Sequence, residues 1–310
     1  MQRFLISRLS ALGDTVCSLP AAVALKKTYP DCHITWAVDP RFAGIVECCS
    51  SVNEVLKVKL SAKTIPTYDE KFNAALDLQG LLKSALCIAR AKADRKVGYH
   101  WQREGSRLFS ERILPDPTSF HIVDQYVDVA RAVGAEMVRA DFGLEPLPED
   151  VQAVKAKLLE RGVEGRFVLV NAGAGWATKR WVPASFAQVI DALSEHGVKS
   201  VLIGGRAQAD LDAAAEVIAL SKSAPVNMLG QTSVRELVAL ISLCEAHLGG
   251  DTGSTHIAAA LGRPAIGLYS ITNPRRSCPY GQIERCHYDP TGLANIKPEP
   301  VLASMREAIG

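Results

Sequence analysis

Eight consecutive residues, Gly249-Gly250-Asp251-Thr252-Gly253-Ser254-Thr255-His256, follow a short apolar strand and open an apolar helix, Ile257 to Leu261. Glycines let a backbone come close to a ligand, hydroxyls donate hydrogen bonds, and the first N–H groups of a helix carry partial positive charge. That combination suits an anion such as a diphosphate. An ordinary capped helix, with Asp251 or Thr252 as the N-cap, is the simpler alternative, but capping does not account for so many donors beside glycines and His256. Asp251-Thr252-Gly253-Ser254 also spells an aspartic protease signature. Such an enzyme needs two carboxylates sharing a proton on β-rich lobes, whereas this tetrapeptide occurs once, between a parallel-type strand and a helix.

Three more loops have the same strand-to-helix setting. In Asn171-Ala172-Gly173-Ala174-Gly175-Trp176-Ala177-Thr178-Lys179-Arg180-Trp181-Val182-Pro183, Lys179 and Arg180 can neutralise phosphate charge. A dinucleotide fingerprint fails there, because Thr178 stands at the third glycine. Ser7 to Thr15 carries Asp14, which can accept a proton from an attacking hydroxyl or cap the helix that begins near Thr15; the residues leave both open. Asp77-Leu78-Gln79-Gly80-Leu81-Leu82-Lys83-Ser84 leads into a basic segment. From Lys83 to Arg112 eight basic residues face three acidic ones, which suits an anionic partner, a solvated basic face being the alternative.

The elements that must position these loops alternate. Strands are expected at Phe4 to Ile6, His33 to Val38, Val52 to Val58 and Ala74 to Leu78, with helices at Val16 to Tyr29, Pro40 to Cys49, Lys83 to Lys92 and Ile122 to Val133. After a linker, Leu144 to Pro148, and a helix at Glu149 to Arg161, strands at Phe167 to Asn171, Ser200 to Ile203, Asn227 to Leu229, His247 to Gly249 and Ala265 to Leu268 alternate with four helices. A last helix spans Pro298 to Ile309. The pattern predicts two α/β, doubly wound, Rossmann-like domains, 1–147 and 148–310, facing each other across a cleft lined by strand-to-helix loops.

A chain of 310 residues is long enough for two cores, and its 48% hydrophobic and 22% charged residues are ordinary for a globular protein. No apolar run approaches the roughly 20 residues that span a bilayer, and the N-terminus lacks the pattern of a secretory signal, so a cytoplasmic location is expected. Eight cysteines without a Cys-x-x-Cys pair read as buried free thiols. Cys278, Cys286 and His287 lack a fourth metal ligand at a usual spacing.

In order and spacing these stretches resemble, over nearly the whole chain, the ADP-heptose:lipopolysaccharide heptosyltransferases of glycosyltransferase family 9. A Gly-Asp pair in the first loop corresponds to Gly13 and Asp14. The family's Asp-Gln-Gly-x-x-Lys-Ser is close to Asp77 to Ser84 with Leu78 intervening, and its Lys-x-Trp-Pro is close to Lys179 to Pro183 with Val182 intruding. Asp-Thr-Gly-x-x-His matches Asp251 to His256, and Tyr-Gly-x-Thr-x-Pro is similar to Tyr269 to Pro274, with Ser270 where glycine is usual.

The resemblance implies a GT-B fold whose last helix returns to the first domain. It implies an inverting, metal-independent transfer of heptose from ADP-heptose to a hydroxyl of the lipopolysaccharide inner core, with the ADP-sugar as co-substrate and no cofactor. Asp14 would be the catalytic base and Lys179 would stabilise the leaving diphosphate. Gly173, Gly175, Lys179, Asp210, Asp251, Thr252, Gly253, Thr255 and His256 would bind the donor, and Ser10, Gly13, Gln79, Gly80 and Lys83 the acceptor. Asp210 and Asp212 form an Asp-x-Asp that other glycosyltransferases use for metal; on a helix they read as a solvated face, with Asp210 close to the donor ribose. The expected partners are a nucleotide sugar and an anionic glycolipid, with peripheral contact at the inner membrane and no nucleic acid. The alternatives are the same chemistry with another nucleotide sugar or acceptor, a non-catalytic nucleotide-sugar-binding module, and a dinucleotide oxidoreductase.

Overall fold

The computed structural model describes residues 1–59, 65–136, 140–173 and 180–310. The chain divides into two compact units, Met1–Glu145 and Pro146–Gly310. In the first, β1 (Arg3–Ser7), α1 (Leu12–Thr28), β2 (His33–Val38), α2 (Ala43–Glu47), β3 (Glu54–Lys57), β4 (Lys71–Asp77), α3 (Leu82–Ala89), β5 (Lys92–Tyr99), β6 (Glu111–Ile113) and α4 (Ile122–Arg131) follow in order. The six strands form one parallel sheet ordered β3-β2-β1-β4-β5-β6. The central strand β1 is apolar on both faces, with Phe4, Leu5 and Ile6 all buried, as a strand covered on two sides requires. Buried residues run around α1 from Thr15 to Leu25, and α4 packs against it.

The second unit runs α5 (Pro148–Glu160), β7 (Phe167–Asn171), α6 (Pro183–Ser194), β8 (Lys199–Leu202), α7 (Gln208–Leu220), β9 (Val226–Asn227), α8 (Val234–Leu243), β10 (His247–Gly250), α9 (Gly253–Ala260), β11 (Ala265–Tyr269), α10 (Pro274–Ser277), β12 (Cys286–Tyr288) and α11 (Pro298–Ile309). Its parallel sheet is ordered β12-β11-β10-β7-β8-β9. Counted from the other edge, this is the strand order of the first unit repeated. Each sheet reverses direction between its first and fourth strands, β1 beside β4 and β7 beside β10. Ligands of open α/β sheets bind beyond the carboxyl ends of strands at such a switch point, and the four loops singled out by sequence leave just those four strand ends.

Two expectations are corrected. The helix expected through Lys92 stops at Ala89, and Lys92 begins β5. The eight basic residues therefore do not share a face. Lys92, Arg95 and Lys96 are spread from the amino end of β5 to its middle, where Arg95 Nη2 pairs with Glu111 Oε2 at 2.9 Å and Lys96 Nζ donates to the Ala89 carbonyl at 2.7 Å. Lys83, Arg103 and Arg107 fall instead around the carboxyl-end loops, where the Arg103 N–H and the Ser106 hydroxyl bind the Gly80 carbonyl. The last helix belongs to the second unit. It packs within the second unit against α6 and β11, held by Val301 and Met305, both wholly buried in that unit's core.

Candidate functional site

In the first unit Ser7 pairs with Asp77, so the loops leaving β1 and β4 start side by side. Gln79 joins them: its Oε1 accepts from the Leu9 N–H at 2.9 Å and its Nε2 donates to Ser10 Oγ at 3.2 Å. Lys83 Nζ donates to the same Ser10 oxygen at 2.8 Å. Asp77 shapes the turn, because its Oδ1 accepts the N–H groups of Gln79 and Gly80, each at 3.0 Å. Burial pushes its carboxyl pKa up, against the pull of those N–H donors, Ser84 and Arg8. The expected residues Ser10, Gln79, Gly80 and Lys83 thus form one cluster, while Gly13 sits in the first turn of α1 beside Asp14.

Asp14 is half exposed, and one oxygen is anchored: Oδ2 lies 2.7 Å from Arg8 Nη2. Asp14 is not the N-cap, for α1 begins at Leu12 after Ala11; at the third helical position the same oxygen accepts from the Ala11 N–H at 3.5 Å. Arg8 is buried, donates to the Leu78 carbonyl at 2.6 Å and lies 5.3 Å above the centre of the Tyr126 ring. A carboxylate held this way is fixed on one side and open to a proton on the other.

In the second unit β10 ends at Gly250, and Gly249 pairs with Asn171, the last residue of β7. Helix α9 begins at Gly253 with Thr252 at the N-cap position and no side-chain cap. Thr255 Oγ1 donates to the Gly250 carbonyl at 2.7 Å and stands 3.3 Å from Thr252 Oγ1. Asp251 and His256 pair with each other, Oδ1 to Nε2 at 3.3 Å, and Thr272 donates to Asp251 Oδ2 at 2.9 Å. Asp251 therefore ties the glycine-rich turn to the segment after β11.

Gly173 has its N–H bound by Asn171 Oδ1 at 3.0 Å, and a Cβ there would come within 2.6 Å of Asp210 Oδ1. Glycine at 173 thus lets the first turn of α7 approach, and Arg180 Nη2 stands 4.0 Å from Asp210. Asp212 takes a hydrogen bond from Gln208 at 2.8 Å and lines a cavity of about 370 Å³ with Arg180, Trp181, Phe186 and Glu216. Gly175 and Lys179 lie outside the described residues. Among the described residues no three His, Cys, Asp or Glu side chains are grouped to hold a metal.

Sequence reasoning did not single out Arg8, Asn171, His247 or Thr272. Arg8 and Asn171 carried a usable signal, being polar residues at the end of an apolar strand that opens a loop. His247 carried none, for inside a strand it reads as core.

A model of glycosyltransferase family 9 (heptosyltransferase) matches residues 67–294. The lipopolysaccharide core heptosyltransferase OpsX of Haemophilus influenzae is 27% identical over 292 residues, covering 90% of this chain and 82% of its own. Among solved structures, a family 9 glycosyltransferase from Veillonella parvula superposes with a TM-score of 0.88 at 20% identity, covering 99% of this chain and 97% of that one. The E. coli heptosyltransferase WaaC, solved with ADP-2-deoxy-2-fluoro heptose, gives 0.78 at 22% identity, with 99% of each chain covered.

Proposed function

Because the chain belongs to glycosyltransferase family 9, the heptosyltransferase family, we propose that it transfers heptose from ADP-heptose to a hydroxyl of the lipopolysaccharide inner core. The observation that carries the donor assignment is the start of α9: a helix N-terminus without a side-chain cap, preceded by glycines and flanked by the hydroxyls of Thr252 and Thr255. The dipole and the N–H groups there favour a diphosphate, and Lys179 adds charge. Gly173 and Asp210 meet the ribose side.

In the first unit Ser10, Gly13, Gln79, Gly80 and Lys83 orient the acceptor. Asp14 takes the proton of its hydroxyl, the oxygen attacks the anomeric carbon with inversion, and the bond from that carbon to the diphosphate breaks as ADP leaves with the electron pair. Arg8 holds Asp14 in place. General-base help is worth about 10²–10⁴ in rate, so Asp14→Asn is expected to lose turnover by that factor while binding ADP with near-native affinity. Near-native turnover of the variant would remove Asp14 from this role, and a native protein preferring UDP or GDP over ADP in calorimetry would change the donor.

The acceptor end suits an amphiphile held at a membrane surface. Leu82, Trp101 and Leu108 are 41%, 50% and 81% exposed along the segment that carries Lys83, Arg103 and Arg107, a mixture that fits the boundary between anionic head groups and acyl chains.

A further inference from the structure

Beneath Thr252 runs a chain of hydrogen bonds that starts on a wholly buried histidine. His247 opens β10, and its ring lies over Gly249, where a Cβ would come within 2.9 Å of the imidazole Cε1. Nε2 is 2.9 Å from Ser254 Oγ, while Nδ1 meets no hydrogen-bond partner among the described residues. Burial, and after it the neighbouring His256, push the His247 pKa down to about 3, so the ring is neutral and carries one proton.

The surroundings decide which nitrogen holds that proton. Asn171 is oriented by the Gly173 N–H on its Oδ1, which turns Nδ2 toward Ser254 Oγ at 2.9 Å. Ser254 has a third neighbour, Thr252 Oγ1, at 3.1 Å. A hydroxyl donates one hydrogen and accepts up to two. With the proton on Nε2, His247 and Asn171 donate to Ser254 and Ser254 donates to Thr252, so each contact has one donor and one acceptor. With the proton on Nδ1, a buried N–H would lack an acceptor, the rarer and costlier defect. Ser254 would then donate back to His247, and Thr252 to Ser254.

The two wirings present different faces to an anion. In the first, Thr252 already accepts from Ser254 at 3.1 Å, and its own hydrogen has only Thr255 Oγ1, at the longer distance of 3.3 Å. Thr252 is partly exposed, so that hydrogen can turn outward. In the second, the hydrogen points inward and only lone pairs face the ligand. We propose that His247 is a positioning residue which, through Ser254, sets the Thr252 hydroxyl as a hydrogen-bond donor toward the diphosphate of the nucleotide sugar. The inference rests on the donor-site reading above.

The test is a double-mutant cycle on ADP affinity, measured by calorimetry with His247→Leu, Thr252→Val and the pair. Ser254→Ala breaks the relay at its second link should the buried histidine prove hard to replace. Each single change is expected to weaken ADP binding about tenfold, since a hydrogen bond to a charged group is worth at least that. In the Thr252→Val background the His247 or Ser254 change should cost nothing more. Additive losses would overturn the relay, because a histidine that merely supports the loop costs the same with or without the Thr252 hydroxyl. Nitrogen-15 NMR of labelled histidine should find the His247 proton on Nε2 without ligand, and a proton on Nδ1 would overturn the relay whatever ADP does. Tight native binding of ADP left unchanged by either single variant removes the relay alone. A native chain that binds no ADP removes the donor site and this inference with it.

Discussion

Asp14 and Arg8 form a pair of unequal burial, the carboxylate about half exposed and the guanidinium enclosed between Leu78 and Tyr126. A partner this well fixed gives the carboxylate direction, which an exposed ion pair with two mobile side chains does not. Asp77, on the neighbouring strand end, is the opposite case, for burial raises its pKa. A carboxyl whose folded pKa lies above its unfolded value of about 3.9 contributes stability below that value and loses it as pH rises toward the folded one. The unfolding free energy of the native chain, compared with Asp77→Asn in urea titrations, is therefore expected to fall as pH rises from about 4. A difference that stays flat from pH 4 to 7 would show that Asp77 titrates normally. At this scale Asp14 and the hydroxyls of the 249–256 loop stood out in the sequence, because polar residues crowded among glycines have few structural uses. Their partners were less legible: Arg8 was marked only by its place at a strand end, and His247 not at all, since it sits inside a strand that reads as core and its contact with Ser254 forms only in the fold.

Gly249 shows how an element serves the site. Glycine leaves room on β10 for the His247 ring, and an added Cβ would also sit 3.3 Å from Asn171 Cβ and from its carbonyl oxygen. Gly249→Ala is expected to destabilise the protein by about 1–3 kcal/mol, the usual range for overpacking a filled interior, and chemical denaturation would report it; no change would mean the ring moves aside freely. Strands buried on both faces, such as β1 and β7, were readable because they are continuous apolar runs. Strand β5 was not. Only Val97 to Tyr99 have a partner in β6, so Lys92 to Lys96 lie along an open edge, where charged side chains guard against stray pairing and erase the apolar pattern. Strands β6 and β12, three residues each, are too short to show a period.

For the molecule as a whole, no helix among the described residues is long and apolar enough to cross a membrane. On the proposed reading an acceptor held in lipid is met at a surface, where each Lys or Arg near anionic head groups contributes about 1 kcal/mol, screened over roughly 8 Å at physiological salt. The full chain is expected to co-sediment with vesicles containing anionic lipid, to be released by high salt, and to bind less well as Leu108→Asp. Equal binding to neutral vesicles, or none to anionic ones, would remove the membrane contact. The strand order that both units share has a consequence of another kind. Each half presents its chemistry at the same address in a repeated plan, yet the two addresses are written in separate stretches of chain. On the proposed assignment, substitutions around Ser10 and Gln79 retune which hydroxyl is glycosylated while a nucleotide preference set around Asn171 and Thr252 stands, so a lineage can acquire a new acceptor without having to rediscover its donor.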